Sequence, residues 1–475
     1  MLLLVDEISI GGGREVSKRI VVIGAGPGGY VAALKAAKLG AQVTVVEKDK
    51  VGGTCLNRGC IPTKALLASA EVLTAIKEAE EYGIRVEGKI TPDMGLIIAR
   101  KNKVVERLNK GIEFLFEKNN VRLVKGKGTL VGNKAVKVEL EEGGCETLEA
   151  DNIIIATGSS PAKIPVFPFD GKRVLTSDEI LDLDYVPSSI IIVGAGVIGC
   201  EFGTFFSAVG SAVTMVEMME RVLPTEDSDL GKEMEKVLKR KKIKLHLKSR
   251  IEKVEIKENG VKAVLDSGKE LEAEIMLVAT GRRAEINDLG LETVGVKTDK
   301  GRIIVDDRME TSVKGIYAIG DIVPGLQLAH VASFEGICAA ENIMGIESRM
   351  DYSAVPRGIF TDPEVGAVGM TEEEALNAGF RIRTGRFYFR GLGRAQAAGK
   401  IIGFAKIIAE EGTDKILGAS IIGPNATDLV HEIVPAIKCA ITVKDMSKLI
   451  HSHPTFSEAV MEALHDVHGQ SIHNA

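Results

Sequence analysis

Residues 19–29 have the sequence Arg-Ile-Val-Val-Ile-Gly-Ala-Gly-Pro-Gly-Gly, and this stretch decides the fold. Residues 20–23 form a continuous apolar run, which is typical of a strand buried on both faces. A glycine-rich turn and a helical pattern up to Leu39 follow directly. The stretch therefore predicts the strand, turn and helix that begin an α/β domain with a parallel sheet.

The glycines of this turn, Gly24, Gly26 and Gly29, have the spacing G-x-G-x-x-G. In a dinucleotide-binding turn the first glycine permits the tight bend, the second lets a pyrophosphate approach the backbone, and the third lets helix and strand pack closely. The next predicted strand, residues 42–46, is followed by Glu47, where a carboxylate can accept hydrogen bonds from a ribose. Strand, turn, helix and acid are all present, so we expect a dinucleotide here.

The chain repeats this unit about 170 residues later. An apolar run over residues 190–193 precedes Gly194, Gly196 and Gly199, and the following strand ends at Glu217. The acid follows the first glycine at the same distance in both units, and each unit has a later strand that ends in Ala-Thr-Gly. Two such units predict two dinucleotide sites.

The length of 475 residues predicts several domains, because single hydrophobic cores rarely grow beyond about 250–300 residues. The composition, 45% hydrophobic and 27% charged, is that of a globular protein. Several prolines lie between Gly158 and Ile190, as expected for a segment that leads from one domain to the next. An alternation of apolar and polar residues, which is typical of strands, begins near Asp351. We therefore expect an α/β protein of several domains.

The formal net charge is −6, and the basic residues form no block. Proteins that bind nucleic acid or an anionic membrane surface carry clusters of basic residues. The even distribution of charge here therefore gives no sign of either function. We find no apolar run that approaches the length needed to span a bilayer, and the first residues turn acidic too early for a secretory signal. We expect a cytoplasmic protein.

The candidate reactive stretch is residues 51–64, Val-Gly-Gly-Thr-Cys-Leu-Asn-Arg-Gly-Cys-Ile-Pro-Thr-Lys. If Cys55 enters a helix, the next turn brings Cys60 beside it, within the Cα separation of a disulfide. Lys64 follows Cys60 by one helical turn, where its ammonium group favours a thiolate. A structural disulfide is one alternative, although so short a loop removes little chain entropy. Zinc is another, but it needs a second cysteine pair that the chain lacks. The pattern favours a redox dithiol.

The remaining cysteines and most histidines show no such pattern. Free cysteine is often a small core residue, so we expect burial of Cys145, Cys200, Cys338 and Cys439. Six of the eight histidines follow residue 430, but no acid or cysteine grouping completes a metal site there, so we expect no metal. We expect solvated tail positions for His451, His465, His468 and His473.

Together, the cysteine stretch, the glycine units, the strand at residues 315–321 and the closing segment His451-Ser-His453-Pro-Thr-Phe-Ser-Glu458 resemble the dihydrolipoamide dehydrogenases of the pyridine nucleotide disulfide oxidoreductase family. The resemblance implies an α/β fold with two Rossmann-like dinucleotide-binding domains, one for FAD and one for NAD, plus a central domain and an α+β C-terminal dimerisation domain. The expected divisions are an N-terminal extension at 1–18, the FAD domain with the redox disulfide at 19–158, the NAD domain at 159–282, the central domain at 283–350 and the interface domain at 351–475.

The resemblance implies one tightly bound FAD per subunit. A fixed flavin also suits the sulfur pair better than a nicotinamide that has to leave. The residues implied to hold FAD are Gly24, Gly26, Gly29, Glu47, Gly53, Thr54, Lys64, Gly128, Thr157, Gly158, Asp321, Ala329 and His330. Lys64 is further implied to pair with Glu201, for which a solvated helix position is the alternative.

The second unit is implied to bind NAD⁺ or NADH. Glu217 can accept a hydrogen bond from a ribose 2′-hydroxyl, whereas a 2′-phosphate would meet like charge. No arginine follows immediately to receive such a phosphate, and Arg221 is the nearest. NAD is therefore favoured over NADP. The residues implied to hold it are Gly194, Gly196, Val197, Ile198, Gly199, Glu217, Ile251 and Gly281.

At the C-terminal end, the resemblance implies that His453 is a general base and that Glu458 is its orienting carboxylate. An imidazole titrates near neutral pH, and a carboxylate on one ring nitrogen fixes the tautomer. Thr455-x-x-Glu458 is also the pattern of a helix capping box, so Glu458 has a purely structural alternative.

The implied activity is oxidation of protein-bound dihydrolipoamide to lipoamide, with electrons passing through the Cys55–Cys60 disulfide and FAD to NAD⁺. The implied assembly is a homodimer in which the histidine serves the other subunit. The implied partners are lipoyl domains of a 2-oxoacid dehydrogenase complex or a glycine-cleavage carrier protein, with no nucleic acid and no membrane.

Two alternative functions differ in what they require. Another FAD-dependent NAD(P)H disulfide reductase, such as glutathione or mercuric reductase, would show arginines near Glu217 or adjacent cysteines near the C-terminus, and the sequence has neither. A non-catalytic flavoprotein redox sensor would have no use for the second nucleotide site.

Overall fold

The computed structural model describes residues 17–474. These residues divide into two compact units. The first comprises the chain up to Gly53, Lys110–Gly158 and Ala284–Met350, and the second comprises Thr54–Asn109, Ser159–Arg283 and the chain from Asp351 onward. The expected extension over residues 1–18 lies outside the described residues except for its last two positions.

The first unit is built on a seven-stranded sheet around the strand predicted from the opening stretch. Arg19–Ile23 runs parallel to both of its neighbours, with Val21 opposite Thr44 on one side and Ile153 on the other. Its apolar residues are buried, as expected for a central strand of a parallel sheet. The order in the sheet is Ile316–Ala318, Asn152–Ile155, Arg19–Ile23, Gln42–Glu47, Arg122–Gly132, Ala135–Leu140 and Cys145–Glu149.

The helices of the first unit pack closely because small residues line their contact. Pro27–Lys38 begins directly after Gly26, with proline in its first turn, where a missing N–H costs nothing. It packs against Ala329–Ile343, and a Cβ atom on Gly336 would lie 2.5 Å from the carbonyl oxygen of Gly28. The smaller elements are Leu291–Val294, Thr298–Asp299, Arg302–Ile303 and the 3₁₀ turn Gly320–Ile322.

The second unit contains the repeat of this architecture. A parallel sheet has the order Lys244–His246, Ala212–Val216, Ser189–Val193, Ile275–Val278 and Val174–Leu175. The helix Val197–Val209 follows the second glycine turn, as predicted, and ends at Gly210 with φ +111°. The helix Ser228–Arg240 and an antiparallel sheet of Ile251–Lys257, Gly260–Leu265 and Glu270–Ala273 complete this part.

The cysteine-bearing helices pack in the same unit. Gly53–Arg58 and Cys60–Lys77 are separated at Gly59, and the longer helix contributes Leu66, Ala70 and Leu73 to a core shared with the phenylalanines of Val197–Val209. A further helix, Met94–Lys118, begins in this unit. Short elements are Ala79–Tyr82, Ser159–Pro161, Glu179–Asp182 and Arg282–Ala284.

One expectation about membranes needs correction. Residues 53–77, 25 residues with mean hydropathy 1.3, are long and apolar enough to cross a bilayer by length and composition alone. Leu66, Ala70 and Leu73 of this run lie in the core of the second unit, whereas Val72 is 60% exposed.

The C-terminal part of the second unit forms an antiparallel sheet covered by short helices. The strand order is Arg357–Ile359, Glu364–Gly369, Ile416–Gly423, Phe404–Glu410 and Ile382–Tyr388. The last helix, Glu458–Asp466, packs on Ile382–Tyr388, where a Cβ atom on Gly385 would lie 2.1 Å from the carbonyl oxygen of Ala463. The other helices and 3₁₀ turns are Glu372–Asn377, Phe389–Gly391, Gly393–Ala397, Ala426–Leu429, Val430–Glu432, Ile433–Lys438 and Val443–Met446.

The burial expected for the scattered cysteines is correct for Cys200 and Cys338 and wrong for Cys145 and Cys439, which are exposed. Cys145 begins the last strand in the order of the first sheet, so one side of it lacks a neighbouring strand. Cys439 follows the end of a helix. Whether a cysteine is buried therefore depends on its place at a sheet edge or a helix end, which its residue type does not show.

A buried ionic cluster joins the helix Ser228–Arg240 to the C-terminal sheet within the second unit. The Nζ atom of Lys406, whose side chain is 1% exposed, lies 3.0 Å from Asp227 Oδ1, 2.8 Å from Asp229 Oδ2 and 2.5 Å from Glu372 Oε2. Burial opposes ionisation of Asp229, but the hydrogen bond and charge of Lys406 lower its pKa to about 2. Asp229 is therefore ionised at neutral pH and is paired with Lys406.

We expect Lys406→Met to lower the free energy of unfolding by about 3–5 kcal/mol, because the variant leaves the buried Asp227 carboxylate without its cation. Denaturant unfolding of the FAD-loaded protein measures this. The matched control is Lys236→Met, which removes a lysine whose side chain is 62% exposed and should change the free energy by less than about 1 kcal/mol. Equal stability of the two variants would contradict the assignment.

Candidate active site

The structure brings the two cysteines of the reactive stretch together across a helix break. Cys55 lies on Gly53–Arg58, and Cys60 begins the next helix directly after Gly59. A Cβ atom at position 59 would lie 3.0 Å from the carbonyl oxygen of Thr54, so glycine lets the backbone turn closely there. Both cysteines are free thiols, and their side chains are hydrogen bonded to each other.

The two sulfurs have opposite acidities. The hydrogen bond from Cys55 lowers the pKa of Cys60 to about 7, burial and the charge of Glu201 oppose this shift, and the ammonium of Lys64 supports it. The same hydrogen bond and burial raise the pKa of Cys55 above its usual range. The pair therefore holds one proton on Cys55 and a thiolate on Cys60 near neutral pH.

Lys64, one helical turn after Cys60, forms an ion pair with Glu201. Its Nζ atom lies 2.8 Å and 2.9 Å from the two carboxylate oxygens of Glu201, whose side chain is 4% exposed. The backbone N–H of Phe360 donates to the same carboxylate at 3.0 Å, and the Phe360 ring centroid is 4.6 Å from the ammonium. The solvated position considered for Glu201 is therefore wrong. Sequence reasoning missed Phe360, which no local pattern marks.

The first glycine turn has the geometry that a bound dinucleotide requires. Gly24 has φ +105°, and a Cβ atom there would lie 2.3 Å from the carbonyl oxygen of Ala156. Glu47 is 8% exposed, and its carboxylate accepts from the N–H of Ala25 at 2.6 Å and of Asp49 at 2.8 Å. Burial raises the pKa of this carboxyl group. The turn presents a helix N-terminus beside a fixed acceptor, which suits FAD.

Most other residues expected at the FAD site lie in the first unit. Thr157 donates to the carbonyl oxygen of Glu285 at 2.6 Å, and Gly158 has φ +70°. Gly128 lies on the strand Arg122–Gly132, Gly26 approaches Gly53, and Asp321 lies in the turn Gly320–Ile322, while Ala329 and His330 begin the helix Ala329–Ile343. Thr54 belongs to the second unit, where it donates to Ser159 O at 3.3 Å.

Sequence reasoning also missed Glu335. This residue is 2% exposed on the helix Ala329–Ile343, and its carboxylate accepts from the backbone N–H of Gly320 at 2.6 Å. It therefore fixes the turn that contains Asp321. The sequence signal for Glu335 is a carboxylate in a helix that is otherwise rich in alanine and apolar residues.

The second glycine turn has the same construction. Glu217 is 7% exposed, and its carboxylate accepts from the N–H of Ala195 at 2.7 Å and of Met219 at 2.9 Å. Arg221 donates to Glu373 through two hydrogen bonds of 2.9 Å and 2.8 Å. The arginine nearest to Glu217 in sequence is thus already bound to a carboxylate, which favours NAD over NADP.

The remaining residues expected to bind NAD also belong to the second unit. Gly199 is tightly enclosed, since a Cβ atom there would lie 1.9 Å from the carbonyl oxygen of Gly194. Gly196 caps the helix that Val197 and Ile198 begin, Ile251 begins the strand Ile251–Lys257, and Gly281 has φ +126°.

His453 and Glu458 form the predicted pair. The Nδ1 atom of His453 is 2.9 Å from Glu458 Oε1, and the histidine side chain is 76% exposed. Glu458 Oε2 also accepts from the N–H of Thr455, but Thr455 Oγ1 donates to Ser452 O, and the helix begins at Glu458 itself. The reciprocal capping box is therefore absent, and the Glu458 carboxylate holds the imidazole.

The expectation of solvated tail histidines is wrong for His451. Its side chain is 8% exposed and pairs with Glu432 at 2.7 Å. His465 is half-buried with Nε2 2.8 Å from Ser447 O, and His468 Nε2 lies 3.1 Å from Asp414 Oδ1 without the geometry of a hydrogen bond. His473, 68% exposed, pairs with Glu462 at 2.6 Å. The sequence around His451 does not indicate this burial, because its partner Glu432 lies on a different element.

Comparison with protein families identifies two matches. Residues 18–336 match the family described as pyridine nucleotide-disulphide oxidoreductase, and residues 355–464 match the dimerisation domain of the same family. The matches confirm the predicted fold class and the use of FAD and NAD. The second match supports the predicted homodimer.

Similar proteins extend over nearly the whole chain. Dihydrolipoyl dehydrogenase 1, mitochondrial, of Arabidopsis thaliana is 41% identical over 462 residues, covering 96% of this chain and 91% of that protein. Dihydrolipoyl dehydrogenase of Bacillus subtilis is 41% identical over 468 residues, covering 96% and 98%. The crystal structure of LpdA from Mycobacterium tuberculosis superposes with a TM-score of 0.89 at 31% identity, covering 94% and 99%. The resemblance drawn from the motifs is confirmed.

We expect Lys64→Met to raise the pKa of Cys60 by about one unit, because a neighbouring cation stabilises the thiolate. The thiolate is measured at 240 nm in the reduced protein, as the difference from a Cys60→Ser variant in the same background. Lys64→Arg should keep the low value, and Lys77→Met at the far end of the same helix is the control. An unchanged midpoint in Lys64→Met would exclude a role for this charge.

We expect Glu217→Ala to reduce the preference for NAD⁺ over NADP⁺ about tenfold, equivalent to about 1.4 kcal/mol, because the like charge facing a 2′-phosphate is removed. The measurement is kcat/KM with each coenzyme. Glu220→Ala removes an exposed carboxylate three residues along the chain and serves as the control. Equal preferences in the two variants would show that Glu217 does not discriminate.

Proposed function

The chain belongs to the pyridine nucleotide-disulphide oxidoreductase family, and from this premise we propose that it oxidises protein-bound dihydrolipoamide to lipoamide while NAD⁺ is reduced. It is an FAD- and NAD-dependent oxidoreductase. The observation that supports this function best is the hydrogen-bonded Cys55–Cys60 pair with Lys64 one helical turn away. The pair has the acidities that thiol–disulfide exchange requires.

In the proposed exchange, a substrate thiolate attacks the sulfur of Cys55 in the oxidised pair. The new bond joins substrate and Cys55, the bond between Cys55 and Cys60 breaks, and Cys60 leaves as the thiolate. A thiol of lower pKa leaves faster, which suits the lowered pKa of Cys60. The second substrate thiolate then displaces Cys55 and closes the lipoamide disulfide. The substrate loses two electrons and two protons, and the cysteine pair gains the electrons.

His453 is proposed as the general base for the substrate thiols. Its Nδ1 atom is hydrogen bonded to Glu458, so Nε2 carries the free lone pair when the ring is neutral. Glu458 then stabilises the imidazolium that forms when the ring takes a proton. By this proposal Glu458 is a positioning residue and Cys55, Cys60 and His453 touch the reacting atoms.

The two glycine turns and their acids are proposed to hold the cofactors. Gly24, Gly26, Gly29 and Glu47 would hold FAD, while Gly194, Gly196, Gly199 and Glu217 would hold NAD⁺. A bound FAD would supply two-electron transfer between the dithiol and NAD⁺. Lys64 stays bound to Glu201 in this arrangement and keeps its positive charge beside Cys60.

The proposed assembly is a homodimer in which His453 serves the cysteine pair of the partner subunit, in keeping with the dimerisation domain at residues 355–464. The proposed electron donors are lipoyl domains of a 2-oxoacid dehydrogenase complex or a glycine-cleavage carrier protein. We also propose that the protein acts in the cytoplasm. We also propose four domains, at residues 19–158, 159–282, 283–350 and 351–475, preceded by an extension at 1–18.

We expect the FAD-loaded protein to form NADH rapidly from NAD⁺ and dihydrolipoamide, and not from NAD⁺ and reduced glutathione. Cys55→Ser and Cys60→Ser should each lower this turnover by at least about a thousandfold, since neither leaves a disulfide to exchange. Absorbance at 340 nm measures the product. The control is Cys439→Ser, which changes an exposed cysteine outside the site. Turnover with glutathione alone, or none with either dithiol or thiol, would overturn the proposed substrate.

A further inference from the structure

A second histidine–carboxylate pair lies two residues before the proposed base. His451 is almost fully enclosed, with 8% of its side chain exposed, and its Nε2 atom lies 2.7 Å from Glu432 Oε1. Its Nδ1 atom lies 3.2 Å from the carbonyl oxygen of Leu449. Glu432 ends the 3₁₀ turn Val430–Glu432, which leads into the helix Ile433–Lys438. The pair therefore joins the segment of the base to a different element of the C-terminal part.

The contacts of His451 determine its protonation state. A carbonyl oxygen can only accept a hydrogen bond, and so can an ionised carboxylate. Each ring nitrogen of His451 faces one of these acceptors, so both contacts are hydrogen bonds only when both nitrogens donate, which is the imidazolium form. The hydrogen bond to Glu432 also raises the pKa of His451 above its ordinary value, despite the opposing effect of burial. These contacts favour the imidazolium form of His451, which has no lone pair with which to act as a base.

The segment between the two pairs has no helix or strand of its own. Residues 447–457 connect Val443–Met446 to Glu458–Asp466. At one end the His451 ring is held by Glu432, and at the other end Glu458 holds both the His453 ring and the N–H of Thr455. Within its own chain the His453 side chain is 76% exposed, so packing against its own subunit contributes little to its position. Its position depends on the two ends of the segment.

The imidazolium also acts on the carboxylate that orients the base. Burial opposes ionisation of Glu458, but the hydrogen bonds from His453 and Thr455, together with the charge of His451, lower its pKa. The negative charges of Glu432 and Glu458 raise the pKa of His451. An ionised Glu458 keeps the proton of neutral His453 on Nδ1 and leaves Nε2 free.

We propose that His451 and Glu432 form a positioning pair for His453, which anchors its segment and holds a positive charge beside Glu458. This inference rests on the proposed function, because it assigns the pair a role in deprotonating the dihydrolipoamide thiols. His451 itself does not touch the substrate. Its effect is transmitted through the backbone of the segment and through the charge on Glu458.

The test uses the FAD-loaded dimer with His451→Gln, Glu432→Gln and the double variant. For His451→Gln we expect kcat for dihydrolipoamide oxidation to fall about tenfold, with KM for NAD⁺ unchanged. The pH profile of kcat should also change, because the variant removes a positive charge that lowers the pKa of Glu458. The double variant should lose no more activity than the worse single variant, since both changes break one interaction.

Two measurements separate positioning from a general effect on the fold. Reduction of ferricyanide by NADH needs no base for a substrate thiol, so it should be unchanged in all three variants, as should the FAD content. The matched control is His431→Gln, which changes an exposed histidine next to Glu432 whose Nδ1 faces Thr427 O at 3.0 Å. This control should retain the parent kcat and pH profile.

Three outcomes would overturn the inference. The first is an unchanged kcat and pH profile in His451→Gln. The second is an equal loss of ferricyanide reduction, which would make the pair purely structural. The third is additive losses in the double variant. If the parent enzyme itself does not oxidise dihydrolipoamide, the proposed function fails, and this inference fails with it.

Discussion

The redox site depends on the ion pair between Lys64 and Glu201, which joins three segments of the second unit that are distant in sequence. Lys64 lies on the helix that Cys60 begins, Glu201 lies on the helix after the second glycine turn, and the N–H of Phe360 comes from the C-terminal part. A buried carboxylate that lost its cation would cost several kcal/mol. The pair therefore fixes the cysteine helix against the glycine helix. The same ammonium supports the thiolate of Cys60, so one charge serves both packing and reactivity.

This pair also limits how far Cys60 can be activated. Lys64 lowers the pKa of Cys60, while the negative charge of Glu201 raises it, and the largest influence is the hydrogen bond from Cys55. The thiolate on Cys60 thus depends mainly on the proton that Cys55 retains. Reactivity is consequently a property of the two sulfurs as a coupled pair. The ion pair holds their helix in place and adjusts the balance between them.

Features with local signals could be predicted from the sequence, and features set by distant contacts could not. The strand, turn and helix at Gly24 and Gly194 follow from apolar runs and glycine spacing within a few residues. The partner of Lys64 is 137 residues away, and only the family resemblance indicated it. The partner of His451 is 19 residues away, and its burial depends on tertiary packing, so composition suggested a solvated tail. Cys145 was misjudged because a sequence does not show which strand ends a sheet.

An imidazole on a carboxylate does not by itself identify a base, because the last helix holds two such pairs. Glu458 and Glu462 are one turn apart on Glu458–Asp466, and each binds an exposed histidine, His453 and His473. Glu462 also accepts from Ser471 Oγ and from the N–H of Ile472, so its contacts attach residues 471–473 to the helix.

Glu458 differs because three positive influences meet at it. It occupies the first position of the helix, where the helix dipole favours an anion. Its carboxylate accepts a hydrogen bond from the N–H of Thr455, and the positive charge of His451 lowers its pKa. Glu458 is therefore ionised before any proton reaches His453, and it can stabilise the imidazolium as soon as that proton is taken. Electrostatics and the sequence motif thus select His453 from two geometrically similar histidines.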